Sequence, residues 1–253
     1  MNMKTFPAVV TLAFGLVACS PQNPTPPTES EDLYQASIRW IPNATIDLMS
    51  PEGTFIRAAA ESWNQAWMSR KKGLDAIRDR SYPGFEHAFN NSYGSINNVG
   101  GTGLSRPEVG TEYFEVVNFQ RDGDQFIADV CNYSSQVADQ TDDGKYFSNG
   151  SKIYYHGNSF VFEPDPALRP EQQHAPPARQ KGPAKRPTDN VFGTWVLTHS
   201  GVRGLDDAGM HAFLGKCHKL APGTPDNLPD PYIRADPPTT LPPDPGWPEA
   251  GSA

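Results

Sequence analysis

Cysteine is scarce in this chain. The three thiols among 253 residues stand at positions 19, 131 and 217, which leaves no Cys-x-x-Cys, no Cys-x-x-Cys-His and no Cys/His ligand spacing. The sequence therefore offers no zinc cluster and no dithiol redox centre. Long hydrophobic runs are also missing: the N-terminal apolar stretch, residues 6–18, is about 13 long, against the roughly 20 that a membrane-spanning helix needs. Positive charge is in deficit, with a formal net charge of −8, so nothing draws the chain to phosphate backbones and nucleic acid is not an expected partner. The Gly-x-Ser-x-Gly elbow and His-Glu-x-x-His are absent too, and with them the usual spacings for a serine nucleophile or a catalytic zinc. No cofactor is expected.

What the N-terminus does contain is an export signal. Lys4 supplies a sparse positive region, Phe6 to Gly15 a short apolar stretch, and Leu16-Val17-Ala18-Cys19 a lipobox. Small residues before the cut suit a signal peptidase, and the Cys19 thiol takes up the lipid. Residues 1–18 thus read as a lipoprotein signal peptide and Cys19 as the lipidated first residue of the mature chain. That places the protein on the extracytoplasmic face of the cell membrane, held by its lipid. With Cys19 so assigned, Cys131 and Cys217 form an even pair in an oxidising compartment, most simply a disulfide, although two buried free thiols are the alternative. Such a bond closes a loop of 86 residues and contributes about 4 kcal/mol in the chain-entropy model.

Proline marks the domain boundaries. Of 26 prolines, 21 fall in residues 21–27, 164–187 and 222–248, segments without apolar periodicity, where Pro removes backbone donors and helical freedom. We therefore expect a Pro-rich tether over 19–36 and a single folded domain over 37–220. A disordered insertion is expected at 164–189 and a disordered acidic tail at 221–253. Within the insertion residues 169–187 are basic, with Arg169, Arg179, Lys181, Lys185 and Arg186 against Glu171, and the tail is acidic. The two segments attract each other loosely, meet an anionic surface, or are simply solvated.

Within the domain, Ser50-Pro51-Glu52 reads as a helix start. Phe55, Ile56, Ala59, Ala60, Trp63, Trp67, Leu74 and Ile77 recur at spacings of one helix face, with Gly73 as a bend or break. A short helix is expected over Pro83 to Asn91. Beyond a loop the period becomes two: Tyr113 to Phe119 and Gln125 to Tyr133 flank an Asp122-Gly123 turn. Ile153 to Tyr155 and Phe160 to Phe162 flank His156-Gly157-Asn158-Ser159 as a second hairpin. Val191 to His199 is a further strand, and Asp206 to Gly215 a closing helix. The expected fold is α+β, with N-terminal helices on a curved antiparallel sheet of four to five strands. That element order resembles the cone-shaped fold named after nuclear transport factor 2, over roughly residues 38–200.

Candidate chemistry is thin. Trp63 and Trp67, one turn apart, are core residues, ligand-pocket walls, or both if the helix borders a cone cavity, and His87 is a further pocket candidate. Asp139-Gln140-Thr141-Asp142-Asp143-Gly144 begins like a calcium loop but fails at Phe147 and Gly150, where ligands are required. The lipobox Leu16 to Cys19, the Pro/Thr spacer and the cysteine pair together resemble the envelope lipoproteins of actinobacteria, including those carried by mycobacterial genomes and their temperate phages. The resemblance implies exposure outside the cytoplasmic membrane. From it we expect a non-enzymatic interaction module for an envelope partner, such as one that excludes a competing phage. The alternative is a carrier or sensor of a small apolar ligand, and an enzyme using His87 ranks last.

Overall fold

The computed structural model describes residues 33–90, 96–101, 103–153, 156–201 and 207–251. The leader, the lipobox and Cys19 lie outside the described residues, as does most of the 19–36 spacer.

The helical periodicity becomes α1, Pro51–Trp67, started by Ser50, whose Oγ accepts from the Gly53 amide at 3.0 Å. Gly53 is dictated by space, because a Cβ there would lie 2.3 Å from the Asp47 carbonyl oxygen. The apolar stripe does not continue as one helix. Gly73 adopts φ +61° and gives its amide to the Val99 carbonyl, turning the chain into α2, Leu74–Arg80, and then α3, Phe85–Phe89. Thirteen of the seventeen residues of α1 are buried, Arg57 and Glu61 among them, so this helix is covered on both faces rather than lying at the surface.

Eight strands form the sheet among the described residues: β1 Ser37–Trp40, β2 Glu108–Asp122, β3 Gln125–Tyr133, β4 Val137–Gln140, β5 Tyr146–Ser148, β6 His156–Pro164, β7 Trp195–Gly201 and β8 Tyr232–Arg234. The fold is α+β as expected, but the sheet exceeds the four to five strands read from the sequence. Short segments become strands because partners pair them: β4 adds to the long β2, β5 to β4, and β8 to β5. β2 is antiparallel to β3 along Tyr113–Asp122, pairs β4 through Glu108–Gly110, and runs parallel to β1 along Thr111–Phe114. The β2–β3 turn at Gly123 forms as the Asp-Gly signal indicates. His156-Gly157-Asn158-Ser159 is not a turn: it lies within β6 and pairs Asp129–Asn132 of β3, where ladder hydrogen bonds outweigh local turn preference. Register shifts at Val117 in β2 and Thr198 in β7 interrupt the ladders, and such bulges bend strands.

One sheet face packs on α1 through Phe114, Val116, Phe126, Val130, Phe160 and Phe162. Phe55 of α1 stacks on Phe162 at 4.5 Å and meets Phe192 edge-on. The opposite face carries a smaller cluster of Tyr113, Tyr133, Phe213 and the joined Cys131 and Cys217. That bond pins α4, Asp207–Lys216, and the residue after it to β3.

The expected disorder of the insertion and tail is overturned. Residues 164–189 and 221–251 wrap the outer face of α1 and the sheet edge. The Ala184 and Trp247 backbones exchange hydrogen bonds of 3.0 and 2.9 Å, Trp247 is 1% exposed, and Ser37 Oγ donates to the Leu241 carbonyl at 2.5 Å. Proline denies donors but leaves carbonyls, and these are what the body uses: Arg57 donates to Gln180, Pro245 and Gly246 oxygens at 2.7–2.9 Å. The charges of the two segments matter less than their backbones. Lys185 donates to Gln35 and Ala36 carbonyls and Arg186 to that of Ser81, while the insertion–tail ion pair Lys181–Asp244 spans 3.7 Å. The tether also ends earlier than residue 36, because Tyr34 and Ala36 are buried in the core.

Candidate functional site

Between α1 and the sheet lies an open cleft of about 490 Å³. Its helical wall is Ala60, Trp63, Asn64 and Trp67, a 3–4–7 spacing that puts all four on one face. Its floor follows from the ladder. Phe114, Asn132 and His156 sit side by side on β2, β3 and β6, and Val116, Val130 and Asn158 form the next rung. Leu214 of α4 and Gly201 close one side, and the disulfide at Cys131 holds that helix near β3.

The polar centre of the cleft is Glu112, 5% exposed, on β2. Its Oε2 accepts from the Tyr34 hydroxyl at 2.6 Å and from Asn64 Nδ2 at 2.9 Å, and its Oε1 accepts from Asn132 Nδ2 at 2.6 Å. Burial pushes this carboxyl above the usual carboxylate range and the three donors pull it back, while the charge of Glu61 adds to the rise. Tyr34 is driven up in turn, by burial and then by Glu112. Four residues earlier on β2, Glu108 is pushed to about 8 by burial, by Glu112 and by its cross-strand neighbour Asp139. His156 at the rim has its imidazole lowered by the partial burial of its ring.

The structure brings Trp63 and Trp67 together at this cleft, with ring centroids 5.9 Å apart and edge-on, and Trp63 stacks on Phe89. Trp63 is buried core as well as wall, whereas Trp67 is 39% exposed on the lip. His87 does not join them. It points from α3 to Asp165, with Nε2 3.7 Å from Oδ2, and is half-exposed, because α3 turns its Phe85, Ala88 and Phe89 side inward and leaves position 87 out. Asp139 to Gly144 forms a strand end and a turn in which Thr141 and Lys145 bind Asp143. No group of three His, Cys, Asp or Glu able to hold a metal occurs among the described residues. Ser69 and Lys72 stand at Ser-x-x-Lys spacing, but Ser69 Oγ donates to Asp79 at 2.8 Å.

Sequence reasoning missed Glu112, Asn64 and Asn132. The available signal was a polar residue at an inward position of an alternating strand, since Glu112 shares its face of β2 with Phe114 and Val116. The cleft's chemistry is that of holding: aromatic walls, two amides and one buried acceptor group, with the disulfide and the helix N-cap fixing the frame. Comparisons of this chain with protein-family models, with curated proteins and with solved structures return no match.

Proposed function

We propose that this domain binds a small molecule in the cleft between α1 and the sheet, without transforming it. We further propose that it does so outside the cytoplasmic membrane, tethered by lipid on Cys19. One observation carries the binding reading: a cleft of about 490 Å³, within the roughly 300–1,000 Å³ typical of ligand sites, with aromatic and aliphatic walls interleaved with polar side chains, Glu112, Asn64 and Asn132 among them. The bulged sheet facing a helical wall supports a cone-like layout of the kind the element order resembles. The anchor rests on Leu16 to Cys19 and on the absence, among the described residues, of any helix long and apolar enough to cross a membrane.

The test is binding of the neutral fluorescent probe N-phenyl-1-naphthylamine to the purified full chain. Asn158→Trp, which fills the floor, is expected to abolish the wild-type fluorescence increase. An unchanged increase would place binding elsewhere and remove the reading. Lipid on Cys19 is checked by mass spectrometry of the mature N-terminus, where an intact Met1 start overturns the anchor. Docking to an envelope protein is the second reading. It is supported by Phe147 and Ile233, 37% and 56% exposed and paired across β5 and the edge strand β8. Crosslinking in intact cells with and without Ile233→Lys tests it.

A further inference from the structure

Resting on the ligand-binding reading, we propose that the cleft selects an organic cation, a protonated amine carried on an apolar body. The first ground is a difference among the buried carboxylates. Three are buried among the described residues: Glu61, Glu112 and Glu115. Glu115 has Lys219 Nζ at 2.5 Å, and Glu61 lies within the field of Arg57 one helical turn away. Among the described residues Glu112 has only neutral donors, a hydroxyl and two amides, and no Lys or Arg side chain bonds to it. A buried anion without a counter-charge is costly, and a ligand that brings the missing charge gains what the protein lacks.

The second ground is the geometry of the acceptor. Oε2 takes two hydrogen bonds and Oε1 takes one, from Asn132, so Oε1 keeps an unused lone pair on a residue that lines the cleft. All three partners are donors aimed at a carboxylate, leaving an ammonium N–H as the matching fourth. The third ground is the wall. Trp63, Trp67 and Phe114 line the same space, and indole faces attract cations, most strongly when water is excluded. Trp67 stands at the lip with more than a third of its surface open, where an arriving ammonium meets it first. No Lys or Arg lines the cleft among the described residues.

The experiment is calorimetric titration of the purified full chain at pH 7 with three matched probes: 4-phenylbutylamine, 4-phenyl-1-butanol and 4-phenylbutyrate. The amine is expected to bind at least about tenfold tighter than the alcohol, and the carboxylate more weakly than both. Glu112→Gln is expected to bring the amine-to-alcohol ratio below about threefold. Should that variant not fold, Trp67→Leu provides the second measurement, with amine affinity falling about three- to tenfold, the range of a cation–π contact, and alcohol affinity falling less. Equal binding of alcohol and amine, or a ratio untouched in the variants, overturns the cation and leaves the cleft as a general apolar site. Failure of all three probes, together with naphthylamine fluorescence unaffected by Asn158→Trp, overturns the cleft itself and this inference with it.

Discussion

Glu61 and Glu112 are buried against opposite faces of the same helix, 2% and 5% exposed, and each accepts three side-chain hydrogen bonds. Trp40, Tyr82 and Trp247 donate to Glu61 at 2.6–2.8 Å, and Arg57, four residues before it, supplies the opposite charge while stacking on the Trp247 ring at 4.3 Å. Burial pushes Glu61 up, and Arg57 pulls it back more than any of the three donors. Around Glu112 the donors are there but the cation is not, and one side opens on a cleft. Equal burial and equal hydrogen bonding thus serve two ends. On the outer face the polar groups are completed by the chain itself, by Trp40 and Tyr82 of the body and by Trp247 and carbonyls of the Pro-rich segments, and the result is a clamp. On the inner face they are left incomplete toward solvent, and the result is a place for something else to bind.

The largest effect separating the two faces is expected at the clamp. Trp247→Ala removes a fully buried ring and one donor of Glu61, and it should cost about 4 kcal/mol in urea unfolding. A loss under about 1 kcal/mol would mean that the C-terminal segment merely rests on the body. Next comes the disulfide beside the cleft. Replacing Cys131 and Cys217 by Ala should cost about 3 kcal/mol and loosen the Leu214 wall. Probe binding should then fall in the doubly substituted protein even at temperatures where circular dichroism is unchanged.

The comparison sharpens when both glutamates are neutralised. Glu61→Gln breaks a completed network and should destabilise by about 2 kcal/mol, whereas Glu112→Gln exchanges an uncountered charge for one mismatched donor and should cost less than about 1 kcal/mol. Two losses of equal size would show that Glu112 is clamp rather than site. The last contrast is a pH slope. Glu108 titrates near 8 when folded against an ordinary value of 4.5, so between those values the folded state holds more protons than the unfolded chain. Stability therefore falls as pH rises through that window. Urea midpoints at pH 5 and pH 8.5 should show the decline, and Glu108→Gln should flatten part of it, the remainder belonging to Glu61 and Glu112.

Much of the frame was legible along the chain. Ser50-Pro51 marked the start of α1, the 3–4–7 spacing its inner stripe, Gly73 the break before α2, and Asp122-Gly123 the main hairpin, because each of these signals acts within a few residues. The strands β4, β5 and β8, three or four residues each, carry no periodicity and exist through their partners. The binding candidates divided in the same way. Trp63 and Trp67 were legible from helical spacing. His87 was misplaced because α3 is one short turn whose facing depends on how Gly84 and Asn90 aim it, both in left-handed conformation. Arg57 and Glu61, at ordinary i, i+4 surface spacing, gave no warning that a segment more than 180 residues away covers them.

By itself the amino-acid order determined where the first helix and the main hairpin begin and turn, since these depend on near neighbours. Only the tertiary structure decided that the proline-rich segments are clamps rather than loose ends, and that Glu112 meets Tyr34, Asn64 and Asn132 at the edge of a cleft. The physical reason is range. Proline's restrictions are local, but a free carbonyl or an inward-facing carboxylate takes its meaning from whichever distant donor the fold delivers to it.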